Sequence, residues 1–302
     1  MDLGQPPAAA GQVGVMQIKR VGITSKPNKV EVRDVVPALM AWLQERGVEC
    51  LIDEETAATL GGNLPYLPRA ELASRVDLVI VLGGDGTLLA TARALDRNPV
   101  PILAVNLGGL GFLTVVTHEE LYPALEIVLS GRFQTEPRVQ IEAEVIRAGK
   151  RAGSFLALND IVLNKGVIAR VLDFDVRVDG QFISTYKSDG IIVSTPTGST
   201  AYSLAAGGPV VAPSVRAFIV TPICAHTLTN RPIVLPDTAV IEVAVKSERE
   251  SVYLTVDGQV GMAVRSEDRV RIYKAASMVE IVQPLHKSYF EILRQKLKWG
   301  ER

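Results

Sequence analysis

The chain has 302 residues, enough for two domains of about 150 residues, each able to bury its own core. Hydrophobic residues make up 47% and charged residues 22%, the balance of a globular chain rather than a disordered one. Lys plus Arg total 32 against 33 Asp plus Glu, so no basic field exists to hold a nucleic-acid backbone, and no nucleic-acid partner is expected. The two cysteines, Cys50 and Cys224, lie far apart and form no C-x-x-C, which fits a cytoplasmic location and neither a zinc site nor a disulfide framework. No run of about 18 apolar residues escapes Gly, Pro or charge, and the start lacks a signal-peptide pattern, so no membrane partner is expected.

Residues 1–14, rich in Gly, Pro, Ala and Gln, read as a disordered lead. From residue 15 to 132 strands and helices alternate. The apolar run VGIT at 21–24 reads as a strand, followed by a helical stripe of Val35, Val36, Leu39, Met40, Trp42 and Leu43 that Gly47 stops. A second strand around Cys50–Ile52 leads into a polar loop of about twenty residues, expected to be mobile without ligand. DLVIVL at 77–82, a helix from near Leu88, the strand PILAVN at 101–106, and a helix opened by a Thr117/Glu120 capping box and ending near Gly131 complete the pattern. This alternation predicts an α/β domain built on a doubly wound parallel sheet.

Residues 133–285 change to period-two alternation, as in Val139, Ile141, Ala143 and Val145 or Leu172, Phe174, Val176 and Val178. The turn pairs Asp179-Gly180 and Asp257-Gly258 punctuate it, which predicts a mostly antiparallel β domain. In residues 286–302 a last helical stripe, Tyr289, Phe290, Ile292, Leu293 and Leu297, is expected to return to the first domain.

Three motifs carry chemistry. Gly83-Gly84-Asp85-Gly86-Thr87 stands where a buried strand ends and a helix begins, the place where backbone N–H groups meet phosphate. A carboxylate there suits a base or a metal ligand, and a plain helix cap is the structural alternative. A second cluster, NLGGLGFLT at 106–114, follows the next strand, and neither cluster completes G-x-G-x-x-G or a P-loop. The third, YKSDGIIVSTPTGSTAYSLAAGGPV at 186–210, is dense in hydroxyls and glycines that suit sugar and phosphate oxygens, with Tyr202 able to stack on a base. His226 is a candidate phosphate contact beside Gly83, Gly84, Gly86 and Thr87.

GGDGT at 83–87, Asn159-Asp160, TPTGSTAY at 195–202 and VDGQ at 256–259, in this order and spacing, resemble the NAD kinase family from about residue 17 to the end. The resemblance implies phosphoryl transfer from ATP or inorganic polyphosphate to the 2′-hydroxyl of the adenosine ribose of NAD, giving NADP. It implies Mg²⁺ or another divalent metal, whose ligands it leaves unknown, and a homodimer or homotetramer. Asp85 would be the catalytic base and, with Gly86, touch NAD. Asn159 and Asp160 would hold ribose hydroxyls, and Thr197 with Thr200, Ala201, Tyr202, Ser203, Leu204 and Ala205 would surround the adenylate half. Arg170, Lys187, Asp189 and Gln259 fall at further nucleotide-contacting positions. Asp160 stands where many members have Glu and Lys187 where many have Arg, so one carboxylate is a methylene shorter and one planar fork becomes a point charge. A lipid kinase sharing GGDGT and a non-catalytic NAD-sensing module are the alternatives.

Overall fold

The computed structural model describes residues 17–96, 98–166, 171–227, 229–246, 252–283 and 287–300, in two compact units. Unit 1 takes the chain up to Pro137 and again from Glu280; unit 2 is Arg138–Val279. The expected lead at 1–14 lies outside the described residues.

Unit 1 runs β1 (Arg20–Ser25), α1 (Val32–Gln44), β2 (Glu49–Ile52), α2 (Glu54–Leu60), α3 (Arg69–Leu72), β3 (Leu78–Gly83), α4 (Asp85–Ala94), β4 (Ile102–Asn106), β5 (Val116–Thr117) and α5 (Leu121–Leu129). The strands pair in parallel in the order β2, β1, β3, β4, as the alternation predicts. β3 is buried at every position because helices cover both faces of such a sheet. Ile23, Leu39, Leu43, Ile80, Leu82, Val105 and Leu125 form its core.

Three local readings need correction. Helix α4 opens at Asp85 rather than near Leu88, with Gly84 as its N-cap, so the motif Asp belongs to the first turn of the helix. Only one arm of the Thr117/Glu120 box forms: the Thr117 N–H donates to Glu120 Oε2 (2.8 Å), and α5 starts at Leu121 without a side-chain cap. The twenty-residue loop after Ile52 is largely structured. Asp53 caps α2 through the Thr56 N–H and receives the Arg69 Nε–H (2.6 Å) in a buried ion pair. That tie joins residues 16 apart and leaves no periodic trace, so the sequence pattern reads it as loop.

Unit 2 is built from β6 (Thr135–Arg147), which begins in unit 1, β7 (Lys150–Ala157), β8 (Asp160–Lys165), β9 (Leu172–Val178), β10 (Gln181–Ser188) and β11 (Gly190–Ser194). A 3-10 turn at Thr197–Thr200 and the single-turn α6 (Tyr202–Ala205) precede β12 (Ala217–Ile223), β13 (Ile233–Pro236), β14 (Ile241–Lys246), β15 (Val252–Val256) and β16 (Val260–Val264). β17 (Arg269–Val282) leads back into unit 1, where α7 (Tyr289–Leu297) follows. One antiparallel sheet has the order β13, β12, β11, β8, β15, β16; another runs β10, β9, β14, β17. Ile141, Phe174, Tyr186, Ile191, Phe218 and Leu254 fill the core of this unit. Both Asp-Gly pairs adopt positive φ at both residues, the geometry that matches strand twist in a tight hairpin.

The returning helix α7 carries a complete Ser288/Glu291 capping box. Its Lys296 donates to the Leu110 carbonyl (2.6 Å), and Lys287 just before it pairs with Glu120 (2.6 Å), which ties the C-terminal segment to unit 1 as expected.

Candidate active site

In unit 1 the site grows from the end of β3. Gly83 is fully buried, and a Cβ there would collide with Thr87, so only glycine lets the chain turn into α4 at this point. The Asp85 carboxylate then reaches across to the second glycine cluster. Its Oδ1 accepts the N–H groups of Leu113 (3.1 Å) and Thr114 (3.0 Å) and the Thr114 hydroxyl (2.9 Å), while Oδ2 accepts only the Phe112 N–H (2.9 Å). Asp85 is therefore neither an exposed turn residue nor a cap. It is a half-buried tether between the two glycine loops, and Oδ2 keeps a lone pair for one more donor. Gly111 is part of the same arrangement, because a Cβ there would strike Asp85 Oδ1 and Thr114 Oγ1.

The loop at 107–112 also gathers cations. Lys29 donates to the Leu107 carbonyl, and Lys296 donates to Leu110 with its ammonium 5.4 Å from the Phe112 ring centroid. Neither lysine stands out in the sequence, since one follows β1 and the other comes from the last helix.

In unit 2 the site grows from the connection between β7 and β8 and from the tip of the β15–β16 hairpin. The Asp257 carboxylate accepts the N–H groups of Leu158 (3.2 Å), Asn159 (2.8 Å) and Asp160 (3.2 Å), and the Asp257 N–H donates back to the Asp160 carbonyl (3.0 Å). Asp160 is buried, and burial together with the facing Asp257 carboxylate pushes its carboxyl up to about 7. Asn159 Oδ1 is buried without a hydrogen-bond partner.

The hydroxyl-rich segment is mostly committed to its own turn. Thr195 Oγ1 donates to the Leu158 carbonyl (2.6 Å) and accepts the Gly198 N–H, Ser199 donates to Pro196, and Thr200 donates to Thr197. Ser203 is fully buried with its hydroxyl against Thr221 (2.9 Å). Sequence composition offers these hydroxyls to sugar and phosphate oxygens; in the structure Thr195 ties the segment to the turn at Leu158, while Ser199 and Thr200 bond within the segment and Ser203 meets Thr221. Gly198 packs so closely on the Asn159 backbone that no Cβ fits between them. Tyr202, Ala205 and the Lys187 and His226 side chains remain exposed, and the His226 N–H donates to the Lys187 carbonyl (2.9 Å). Thr197 is buried, Ala201 and Leu204 are partly buried, Asp189 pairs with Lys165 (2.7 Å), and Gln259 closes the turn at Val256. Arg170 lies outside the described residues.

Among the described residues no group of three or more His, Cys, Asp or Glu could hold a metal ion, and no helix is long and apolar enough to cross a membrane. A cavity of about 370 Å³ lies along β2, lined by Arg20, Met40, Cys50, Leu51, Tyr66 and Arg75 among others, and none of the expected nucleotide contacts touches it.

Both parts of the chain match models of a known family. The ATP-NAD kinase N-terminal domain matches residues 21–133 and the ATP-NAD kinase C-terminal domain matches residues 158–283. The chain belongs to the NAD kinase family. The NAD kinase of Solibacter usitatus is 52% identical over 285 residues, which cover 94% of this chain and 99% of that relative. That of Koribacter versatilis is 47% identical over 286 residues, covering 94% and 100%. Among solved structures, yeast NADH kinase complexed with NADH superposes with a TM-score of 0.86 at 28% identity, covering 95% of this chain and 89% of that one. The NAD kinase from Archaeoglobus fulgidus in complex with ATP gives 0.75 at 26% identity, covering 92% and 98%. These matches support neither a lipid kinase nor a non-catalytic sensor.

Within this NAD kinase family chain, sequence reasoning singles out Asp85 and the Asn159-Asp160 pair as candidates but misses what holds them. Gly111 and Thr114 on one side and Asp257 on the other do that work. An Asp-Gly pair reads as a turn, and its tertiary partner about a hundred residues away leaves no local signal.

Proposed function

We propose that this chain transfers the terminal phosphoryl group of ATP to the 2′-hydroxyl of the adenosine ribose of NAD, giving NADP, with Asp85 as the general base. A ribose hydroxyl is a poor nucleophile at neutral pH and needs a carboxylate within hydrogen-bond reach to accept its proton. The observation that carries the reading is the asymmetry of Asp85: Oδ1 is filled by three donors and Oδ2 by one, so the carboxylate is rigidly aimed and still has one acceptor position. The glycine turns before α4 and at 107–111, with Lys29 and Lys296 on the second, are assigned to the phosphates of the donor. In unit 2, Asn159 and Asp160 are assigned to ribose hydroxyls, and Thr197, the run Thr200–Ala205, Lys187, Asp189, Gln259 and Arg170 to the rest of the nucleotide.

The divalent ion is assigned to the substrate, arriving as MgATP, where it neutralises phosphate charge. A cytoplasmic setting is part of the reading, supported by two free thiols at Cys50 and Cys224. So is a homodimer or homotetramer, supported by exposed apolar residues Phe182 and Ile183 on β10 and Val234 on β13, each strand ending its sheet. Light scattering tests the assembly. The activity test is purified protein with Mg²⁺, ATP and NAD, with NADP read by a dehydrogenase that accepts only NADP. NADP formation supports the reading, and its absence with either ATP or polyphosphate as donor overturns it.

A further inference from the structure

We propose that Asp257 is the positioning residue of the nucleotide site: its carboxylate holds the backbone of Leu158, Asn159 and Asp160 so that the Asn159 amide and the Asp160 carboxyl are presented to the ribose hydroxyls of NAD. The inference rests on the proposed function, and assigns a role to a residue that would touch no substrate.

The turn from β7 into β8 is short, and the three N–H groups at 158–160 converge on the Asp257 carboxylate. The carbonyls of Leu158 and Asn159 go the other way, to Thr195 Oγ1 (2.6 Å) and the Thr195 N–H (2.9 Å). The Asp160 carbonyl accepts the Asp257 N–H (3.0 Å). The backbone of the turn is thus clamped from two sides, and Gly198 lies directly against it. What remains uncommitted is Asn159 Oδ1, buried and without a partner. Native interiors rarely leave such an acceptor unmade, and a ribose hydroxyl supplies the missing donor.

Asp257 can reach this position because Asp-Gly adopts positive φ at both residues, which turns the carboxylate off the hairpin and toward the neighbouring strand end. The same placement puts it opposite the buried Asp160 carboxyl. Ser194 of β11 stands beside Asp160 in register and Ile161 pairs with Val256 of β15, so the ionisable group facing Asp160 among the described residues is Asp257. Burial first, and then the facing Asp257 carboxylate, disfavour the charge on Asp160, which retains a proton close to neutral pH. Asp257 therefore holds the shape of the turn and adds to the effect of burial on the charge of one of its ligating side chains.

The test uses the full chain with Asp257→Asn, which keeps one acceptor oxygen, and Asp257→Ala, which keeps none. NAD binding is measured by calorimetry without ATP, and KM and kcat in the coupled assay. The expected result is an NAD KM raised about tenfold by Asp257→Asn and about a hundredfold by Asp257→Ala, with the ATP KM unchanged and kcat within about threefold. The pH profile of NAD affinity should bend near pH 7 in the wild type, falling above it, and the bend should move down in Asp257→Asn, because the facing charge is gone while the burial remains. A bend that stays in place, or equal losses toward ATP and NAD, overturns the proposal. If Asp257→Ala does not fold, Asn159→Ala decides: its backbone clamp is intact, so it should fold normally and lose NAD affinity, and unchanged affinity overturns the proposal. Wild-type protein that binds NAD but forms no NADP would sink the proposed reaction and leave this inference standing.

Discussion

The two units use one device in two settings. Asp85 collects the N–H groups of residues 112–114, and Asp257 collects those of residues 158–160. Each time a carboxylate on one turn satisfies a second turn that no ladder reaches. The difference lies in what surrounds the carboxylate. Asp85 sits in the first turn of α4 and keeps an acceptor position to spare on Oδ2, so it can take part in chemistry. Asp257 has a buried carboxyl as its neighbour, so its charge is felt by Asp160. A tether next to a helix N-terminus is suited to be a base, and a tether next to a second acid is suited to set that acid's protonation.

The comparison breaks most visibly at Asp85. Asp85→Asn keeps the size but cannot accept a proton, and its amide NH₂ must face at least one donor of the 112–114 loop. We expect kcat to fall by roughly 10²- to 10⁴-fold, with a stability loss of about 2 kcal/mol that a plain exposed turn residue would not show. Steady-state kinetics and urea midpoints read the two effects separately. More than about a tenth of wild-type kcat with normal NAD binding would remove Asp85 as base.

Next in size is the packing that each tether requires. Gly198→Ala places a Cβ into the Asn159 backbone, which cannot yield as a side chain could, and should cost about 3 kcal/mol. Gly111→Ala meets the Asp85 and Thr114 side chains and should cost less, at about 2 kcal/mol. Gly109→Ala points into open space and is the control. Equal denaturation midpoints for Gly109→Ala and Gly198→Ala would show that the close approach is unimportant.

The pH response of unit 2 sharpens the contrast further. Asp160 ionises near 3.8 when unfolded and near 7 when folded, so between these values the folded chain holds the extra proton and stability falls as pH rises. From pH 6 to 8 the loss attributable to Asp160 is on the order of 1 kcal/mol. Chemical denaturation across that range should show the slope, and Asp160→Asn should flatten it. A slope unchanged in Asp160→Asn would mean that another group carries it.

The smallest expected effect is at Lys296, whose ammonium touches the Leu110 carbonyl and the Phe112 ring from an exposed position. Lys296→Met should cost less than about 1 kcal/mol in stability. If the 107–112 loop holds donor phosphates, the same change should raise the ATP KM several-fold while leaving the NAD KM alone.

Much of this was legible in the linear chain. The stripe from Val35 to Leu43, the buried run ending at Gly83 and the alternation from Leu172 to Val178 each follow a local period that burial imposes, and the structure carries all three as α1, β3 and β9. Residues 53–72 were misread because their order depends on Arg69 meeting Asp53, a buried pair with no hydrophobic period of its own. The bonds of Thr195, Ser199 and Ser203 were not legible for a related reason: a Ser or Thr is equally able to bind a sugar, its own backbone or a neighbouring hydroxyl, and composition cannot tell which.

The sequence by itself determined the alternation of strand and helix, the change to antiparallel strands, the places where only glycine or Asp-Gly can turn, and the motifs that mark the family. All of these are local, set by periodicity, backbone freedom and short-range order. Only the tertiary structure decided which carboxylate holds which turn. Asp85 reaches Thr114 across 29 residues and Asp257 reaches Asn159 across 98, and hydrogen bonds of that span depend on strand order, which no window of sequence contains.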